Sequence, residues 1–418
     1  MDFKSQRILS TLHSIQFLMR ILVVTQYFWP ENFKINDLCQ GLKERGHDIT
    51  ILTGKPNYPN GSFFEGYSFL NKRIEYWNGI KIHRSPLVVR GKGNGIRLFI
   101  NYISFAFFAS LRVIFIREKF DKIFVFEPSP ITVGIPAIVA KYLSKAKMYI
   151  WVQDLWPESI TAGGGVKNKY LLRSVDWITR FIYNHSNKIL VQSKAFVSYI
   201  LNQGIKEDKL IYYPNTTESY YIKRDLDETI NNMLPKGFKL MFAGNIGEAQ
   251  SFDTLLKTAV LLKKDKIDVQ WIIIGDGRLK AYLREQIVKL DLINNFHLLG
   301  SYPSEEMPKY FSCADALIVS LKKDPIFSLT IPSKIQSYLA CGKPIITSLD
   351  GEGSKIILNA RAGFVSQSED PLALKEAILK ILNLSKDEKI TMGNNARNYF
   401  EKEFEREYLL DKLEIILA

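Results

Sequence analysis

The chain has 418 residues, of which 46% are apolar and 24% charged, a balance that argues against disorder, collagen or an integral membrane bundle. Hydrophobic cores stop growing at about 250 to 300 residues, so this length calls for two domains of about 200 residues each. A formal net charge of +13 draws a protein toward a polyanion, whether nucleic acid, anionic lipid or phosphorylated substrate.

Residues 1–18 carry Lys4 and Arg7, but His13, Ser14 and Gln16 break the apolar stretch after them and no A-x-A site is present, which argues against a secretory signal. Met19 immediately precedes the first strand pattern, so 1–18 read as a disordered or mispredicted extension. Short apolar runs without alternation recur at 21–27, 48–53, 122–126, 148–152 and 188–192. Such runs are strands buried on both faces, hence a parallel sheet covered by helices. Between them lie helical stretches such as 36–45, closed by Gly46. The first domain is therefore placed at 19–215. After a polar linker at 216–237, a second series begins: 240–243, 269–274, 297–299, 316–320 and 344–347. The fold class expected is α/β, with two Rossmann-like, doubly wound, parallel-sheet domains facing a cleft at the carboxyl ends of their strands. The second domain is placed at 238–395, and the helical tail 396–418 is expected to pack back on the first.

Within the first domain, 96–119 stands out for its crowded aromatic and aliphatic residues. Arg97 and Arg112 bracket about 14 residues where about 20 are needed to span a bilayer, so the stretch reads either as a core helix or as a helix lying in the headgroup region. Cys39, Cys313 and Cys341 are odd in number and without CxxC spacing, which argues against disulfides or zinc and fits a reducing cytoplasm.

Two segments of the second domain carry chemistry. Gly244-Asn245-Ile246-Gly247 follows a strand and precedes a helix beginning near Ser251, a turn that aims backbone N–H groups at an anion. Pro332-Ser333-Lys334 opens a helix stopped by Gly342, with Ser333 expected at the N-cap. A lysine in a first helical turn opposes the helix dipole unless an anion shares the site, and a diphosphate is such an anion. The histidines show no metal spacing, and Asp225-Leu226-Asp227 falls in the linker, so no metal and no cofactor are expected.

Gly46-His47-Asp48 through Gly54, the Gly244–Gly247 turn, Gly275-Asp276-Gly277 and 332–344 together resemble family 4 glycosyltransferases of the GT-B kind. Residues 26–31, 56–59 and 154–159 further resemble the enzymes that add N-acetyl-L-fucosamine in bacterial O-antigen and capsule assembly. The resemblance implies a retaining transferase, with a nucleotide diphosphate sugar, UDP-linked, held by the second domain. It implies a polyprenyl-diphosphate-linked glycan as acceptor of the first, and work on the anionic cytoplasmic face of an inner membrane without nucleic acid. It assigns catalysis to Asp154 and Lys334. The donor would meet Gly244, Asn245, Gly247, Gln250, Gly275, Tyr302, Pro332, Ser333, Lys334 and Ser337, and the acceptor Glu31, Asn36, Trp156 and Glu158. Relatives present a pair of glutamates, the later reaching the ribose, where this chain has Leu329 and Ser337. Asn245 and Gln250 likewise stand where a basic pair is usual.

A nonhydrolysing nucleotide-sugar epimerase also uses two Rossmann-like domains and is the alternative, but it needs no lipid surface. A nicotinamide-dependent oxidoreductase would require G-x-G-x-x-G with an acid about 20 residues on, which is missing at Gly244. No nucleic-acid module accompanies the basic charge.

Overall fold

The computed structural model describes residues 18–91, 95–162 and 168–418; the extension expected at 1–18 lies, as far as residue 17, outside them. The chain divides into two compact units. One contains the described residues of Met1–Val191 with Tyr199–Ile211 and Leu410–Ala418, and the other contains Gln192–Ser198 and Tyr212–Leu409.

The first unit is built on strands β1 (Arg20–Val24), β2 (Asp48–Gly54), β3 (Ile74–Trp77), β4 (Ile80–Ser85), β5 (Lys122–Glu127), β6 (Lys147–Val152), β7 (Lys188–Val191) and β8 (Leu210–Tyr212), in the sheet order β3-β4-β2-β1-β5-β6-β7-β8. Strands β1, β2, β4, β5, β6 and β7 run parallel, and β3 is antiparallel to β4. The unalternating runs are buried along nearly their whole length, as strands covered on both faces must be. Chain order reverses beside β1, so β1 and β5 flank the switch point where α/β sheets bind ligands.

Helix α1 (Lys34–Glu44) buries Ile35, Leu38, Cys39 and Leu42. Helices α2 (Gly95–Ile114), α3 (Gly134–Ser144) and α4 (Lys169–His185) connect strands that all step the same way across the sheet. Right-handed crossovers therefore set these three on one face and α1 on the other. Helix α2 corrects the count made from its arginines: it has 20 residues, long and apolar enough to cross a membrane by length and composition, because Arg97 and Arg112 lie within it. It buries Asn101, Phe105, Ala106, Ala109 and Val113 in the domain. The tail consists of two helices, Lys386–Glu403 and Arg406–Leu417. In the part counted with the first unit, Leu410, Leu413 and Leu417 are buried, and Arg45 pairs with Asp411 and Glu414 at 2.7 Å each.

The second unit is a wholly parallel six-stranded sheet of order β11-β10-β9-β12-β13-β14, from β9 (Phe238–Ala243), β10 (Val269–Ile274), β11 (Phe296–Gly300), β12 (Ala316–Ser320), β13 (Ile345–Ser348) and β14 (Gly363–Ser366). The period of two sends alternate residues to opposite cores. Met241 and Ile272 pack with Tyr338 and Leu339; Phe242 and Ile273 pack with Leu255 and Leu256 of α5 (Phe252–Lys264). Asp227, in the stretch read as linker, caps the short helix Glu228–Met233 by accepting from the N–H of Ile230 at 3.0 Å.

Candidate active site

In the second unit the switch point lies between β9 and β12, and the glycine turn leaves β9 there. Gly244 has φ +139°, and a Cβ on it would lie 2.6 Å from Lys334 Cε and 3.0 Å from Nζ. Gly275, at φ +146°, leaves no room for a side chain, since a Cβ would meet the Gly244 carbonyl oxygen at 1.8 Å. The two glycines thus let strand ends and a lysine close on one point.

Lys334 comes from α6 (Ser333–Ala340). Tyr338 of the same helix fixes its position, its hydroxyl accepting from the N–H of Ala243 at 2.9 Å. Pro332 occupies the N-cap and Ser333 is the first helical residue, without a side-chain capping bond. This corrects the cap assigned to Ser333: the fixed φ of proline already directs the chain into the helix. The ammonium of Lys334 lies 5.0 Å from the centre of the Phe242 ring. Burial lowers its pKa to about 8, and among the described residues no carboxylate pairs with it.

The other donor candidates divide by what they touch. Gln250, with its amide turned to suit its neighbours, donates to the carbonyls of Asn245 and Gly247 at 3.2 Å each, so it braces the turn. Asn245 is exposed beside it. The Ser337 hydroxyl lies 2.8 Å from that of Thr217 and donates to the Ser333 carbonyl at 3.3 Å. Tyr302 packs on Tyr310, with ring centres 4.7 Å apart. Leu329 ends the short helix Pro325–Leu329.

In the first unit, Glu31 lies in the loop after β1. Its Oε1 accepts from the N–H groups of Asn57 and Tyr58 at 2.8 Å each, and its Oε2 has no partner. Burial raises its pKa to about 7, against the pull of those N–H groups and of Arg84. Asn36 holds the same loop, donating to the Glu31 carbonyl at 2.8 Å and accepting from the Trp29 N–H at 3.2 Å. Tyr27 stacks on Phe33, and Tyr58 leans on both. Arg90 covers the Tyr58 ring at 4.9 Å.

Asp154 follows β6, and burial raises its pKa to about 6. Trp156 is buried, with its ring edge-on to Tyr102, and its indole N–H lacks a partner. Glu158 begins the short helix Glu158–Ala162 and faces Tyr199. Sequence reasoning passed over Glu127, the last residue of β5, which is fully buried; an acid ending an otherwise apolar run was the available signal. Among the described residues, no three His, Cys, Asp or Glu side chains group to hold a metal ion.

Residues 33–216 match the family described as glycosyl transferase 4-like domain, and residues 224–399 match glycosyl transferases group 1. The chain is 25% identical over 340 residues to the putative colanic acid biosynthesis glycosyl transferase WcaI of Escherichia coli K12, covering 78% of this chain and 82% of that protein. It is 26% identical over 219 residues to the uncharacterized glycosyltransferase MJ1178 of Methanocaldococcus jannaschii, covering 49% and 60%. Similar solved structures include HepE of Anabaena in complex with UDP, with TM-score 0.69, 12% identity and coverage of 96% and 99%. Another is WaaG, a glycosyltransferase involved in lipopolysaccharide biosynthesis, with TM-score 0.64, 12% identity and coverage of 96% and 100%. Half by half, the chain belongs to the glycosyl transferase 4-like and glycosyl transferases group 1 families and is a glycosyltransferase of the two-domain GT-B fold.

Proposed function

We propose that this glycosyltransferase moves N-acetyl-L-fucosamine from a UDP-linked donor to a polyprenyl-diphosphate-linked glycan during surface polysaccharide assembly, with retention and without a metal ion. The observation that carries the donor side is Lys334, a buried ammonium in the first turn of α6, lying across Gly244 and unpaired with any carboxylate among the described residues. A departing diphosphate would supply the missing charge, and preorganised cations of this kind act most strongly where charge develops in the transition state. HepE is a relative in fold whose structure holds UDP. WcaI and WaaG carry names tied to colanic acid and lipopolysaccharide, which favours a surface glycan as product. On the acceptor side, the aromatic cluster of Tyr27, Phe33 and Tyr58 under Arg90 suits a sugar ring with an anionic neighbour.

The outer face of the α2–α3–α4 layer supports work at a membrane surface. It exposes Phe99, Ile103 and Phe107 of α2, Tyr142 and Leu143 of α3, and Tyr170 and Trp177 of α4. Aromatic and aliphatic side chains near lysines and arginines suit peripheral insertion into an anionic cytoplasmic leaflet.

The test is incubation of the full chain with a panel of nucleotide sugars, UDP-N-acetyl-L-fucosamine among them, and lipid-linked glycans, reading products by mass. Addition of one amino-sugar residue to the acceptor, undiminished by a chelator, is expected. A change confined to the donor would replace transfer by epimerisation, and loss of activity restored by magnesium or manganese would overturn the metal-free design.

A further inference from the structure

Glu127 ends β5 opposite Val152 of β6, two residues before Asp154. Its side chain is fully buried, and neither carboxyl oxygen has a hydrogen-bond partner in the structure. Three further buried groups without partners gather at the same strand ends: the Trp156 indole N–H, the Tyr183 hydroxyl of α4, and the Thr132 hydroxyl on the turn Ile131–Val133 that packs on β5. An ionised carboxylate stripped of water and unpaired is very costly, whereas the neutral acid is far less so. Two neighbouring carboxyls also resist ionising together, and the more buried one keeps the proton.

We propose that Glu127 is a positioning residue of the transfer site, a neutral carboxylic acid that holds the Trp156 segment and leaves Asp154 as the one ionised carboxylate at the ends of β5 and β6. The inference rests on the reading of Asp154 as a site residue. Burial, with the charge of Asp154, raises the Glu127 pKa well above its usual value; the Trp156 indole N–H lies near enough to the carboxyl to pull against that rise without closing a well-formed hydrogen bond. The groups facing it are Asp154 and Trp156 from beyond β6 and Tyr183 from α4; Tyr183 in turn senses Tyr199 and Glu158. With Asp154 titrating at about 6, the pair holds one proton at neutral pH. Rising pH then strips Glu127, placing a second negative charge beside Asp154 and disordering the Trp156 segment.

Two measurements on the full chain test this. The infrared difference spectrum at neutral pH, parent minus Glu127→Gln, in which the partly protonated Glu31 carboxyl common to both cancels, should contain a protonated-carboxyl band. Transfer from UDP-N-acetyl-L-fucosamine to the lipid-linked glycan should fall at alkaline pH in the parent. Glu127→Gln should stay within about threefold of the parent at pH 7 and lose that alkaline fall, while Glu127→Ala should drop about tenfold or more at every pH. Absence of the band, an unchanged alkaline limb in Glu127→Gln, or failure of that isosteric variant to fold would each overturn the proposal. Failure of the parent to transfer this sugar would count against the substrate reading alone, and the infrared comparison would still decide the state of Glu127.

Discussion

A lysine held against a phenylalanine ring and a glycine, in the first turn of a helix, is charged at a cost that the diphosphate of the proposed donor would remove. Replacing Lys334 by Ala should therefore lower kcat/KM by roughly 10² to 10³, the usual consequence of deleting one charge-stabilising donor. Because its folded pKa, about 8, lies below the unfolded value of 10.5, folding favours the neutral form, and the stability it withholds at neutral pH returns as pH rises through that window. Lys334→Met should accordingly raise Tm at pH 7 while lowering kcat/KM as far as the Ala variant does, and the gain should shrink toward pH 10. Binding of UDP near pH 8 should take up about half a proton, visible as a calorimetric enthalpy that changes with the buffer's ionisation heat. Glu31 has the opposite sign in the opposite window. Its folded pKa of about 7 exceeds 4.5, so the stability it contributes at low pH is lost between about 4.5 and 7. Glu31→Gln keeps an oxygen for the Asn57 and Tyr58 N–H groups, so its Tm should vary less across that range and should not fall below the parent's at pH 8.

Helix α2 separates burial from exposure along one element, and substitution can address the two faces independently. Phe105 is fully buried, whereas Phe99, Ile103 and Phe107 are exposed. Changing those three together to Gln should leave Tm nearly unchanged, since exposed substitutions typically cost within about 0.5 kcal/mol each. Cosedimentation with phosphatidylglycerol vesicles should nevertheless weaken. Phe105→Ala should do the reverse, costing about 3 to 5 kcal/mol of stability. If the triple variant sediments as the parent does, the exposed face is not a membrane surface. Charge reversal at Arg112 cannot make this distinction, because its Nη2 donates to the Arg73 carbonyl at 3.2 Å and its Nε is buried. The strands were legible because parallel strands buried on both faces leave unbroken apolar runs. The length of α2 was not, because arginines inside a helix were taken for its boundaries. The bond between Thr217 and Ser337 joins residues 120 positions apart and leaves no trace in local spacing. Glu127 escaped notice because an acid after an apolar run reads as an ordinary strand end.

At the scale of the whole chain, the order of elements discloses two α/β units, but which unit claims the last residues depends on side chains that meet across more than 360 positions, as Arg45 and His47 meet Glu414. Removing Leu410–Ala418 would take away three buried leucines, each contributing about 1.5 to 3 kcal/mol. That sum is comparable with the about 5 to 15 kcal/mol that stabilises a whole domain. The first unit of the truncated chain should therefore melt well below the parent. The Lys334 site is built entirely from β9, β10 and α6 of the second unit, whose two cores contain none of the deleted residues. UDP binding by calorimetry should thus survive truncation with its affinity and proton uptake near pH 8 unchanged, even as transfer is lost. A parallel loss of UDP affinity would mean that the two units do not hold their structures independently.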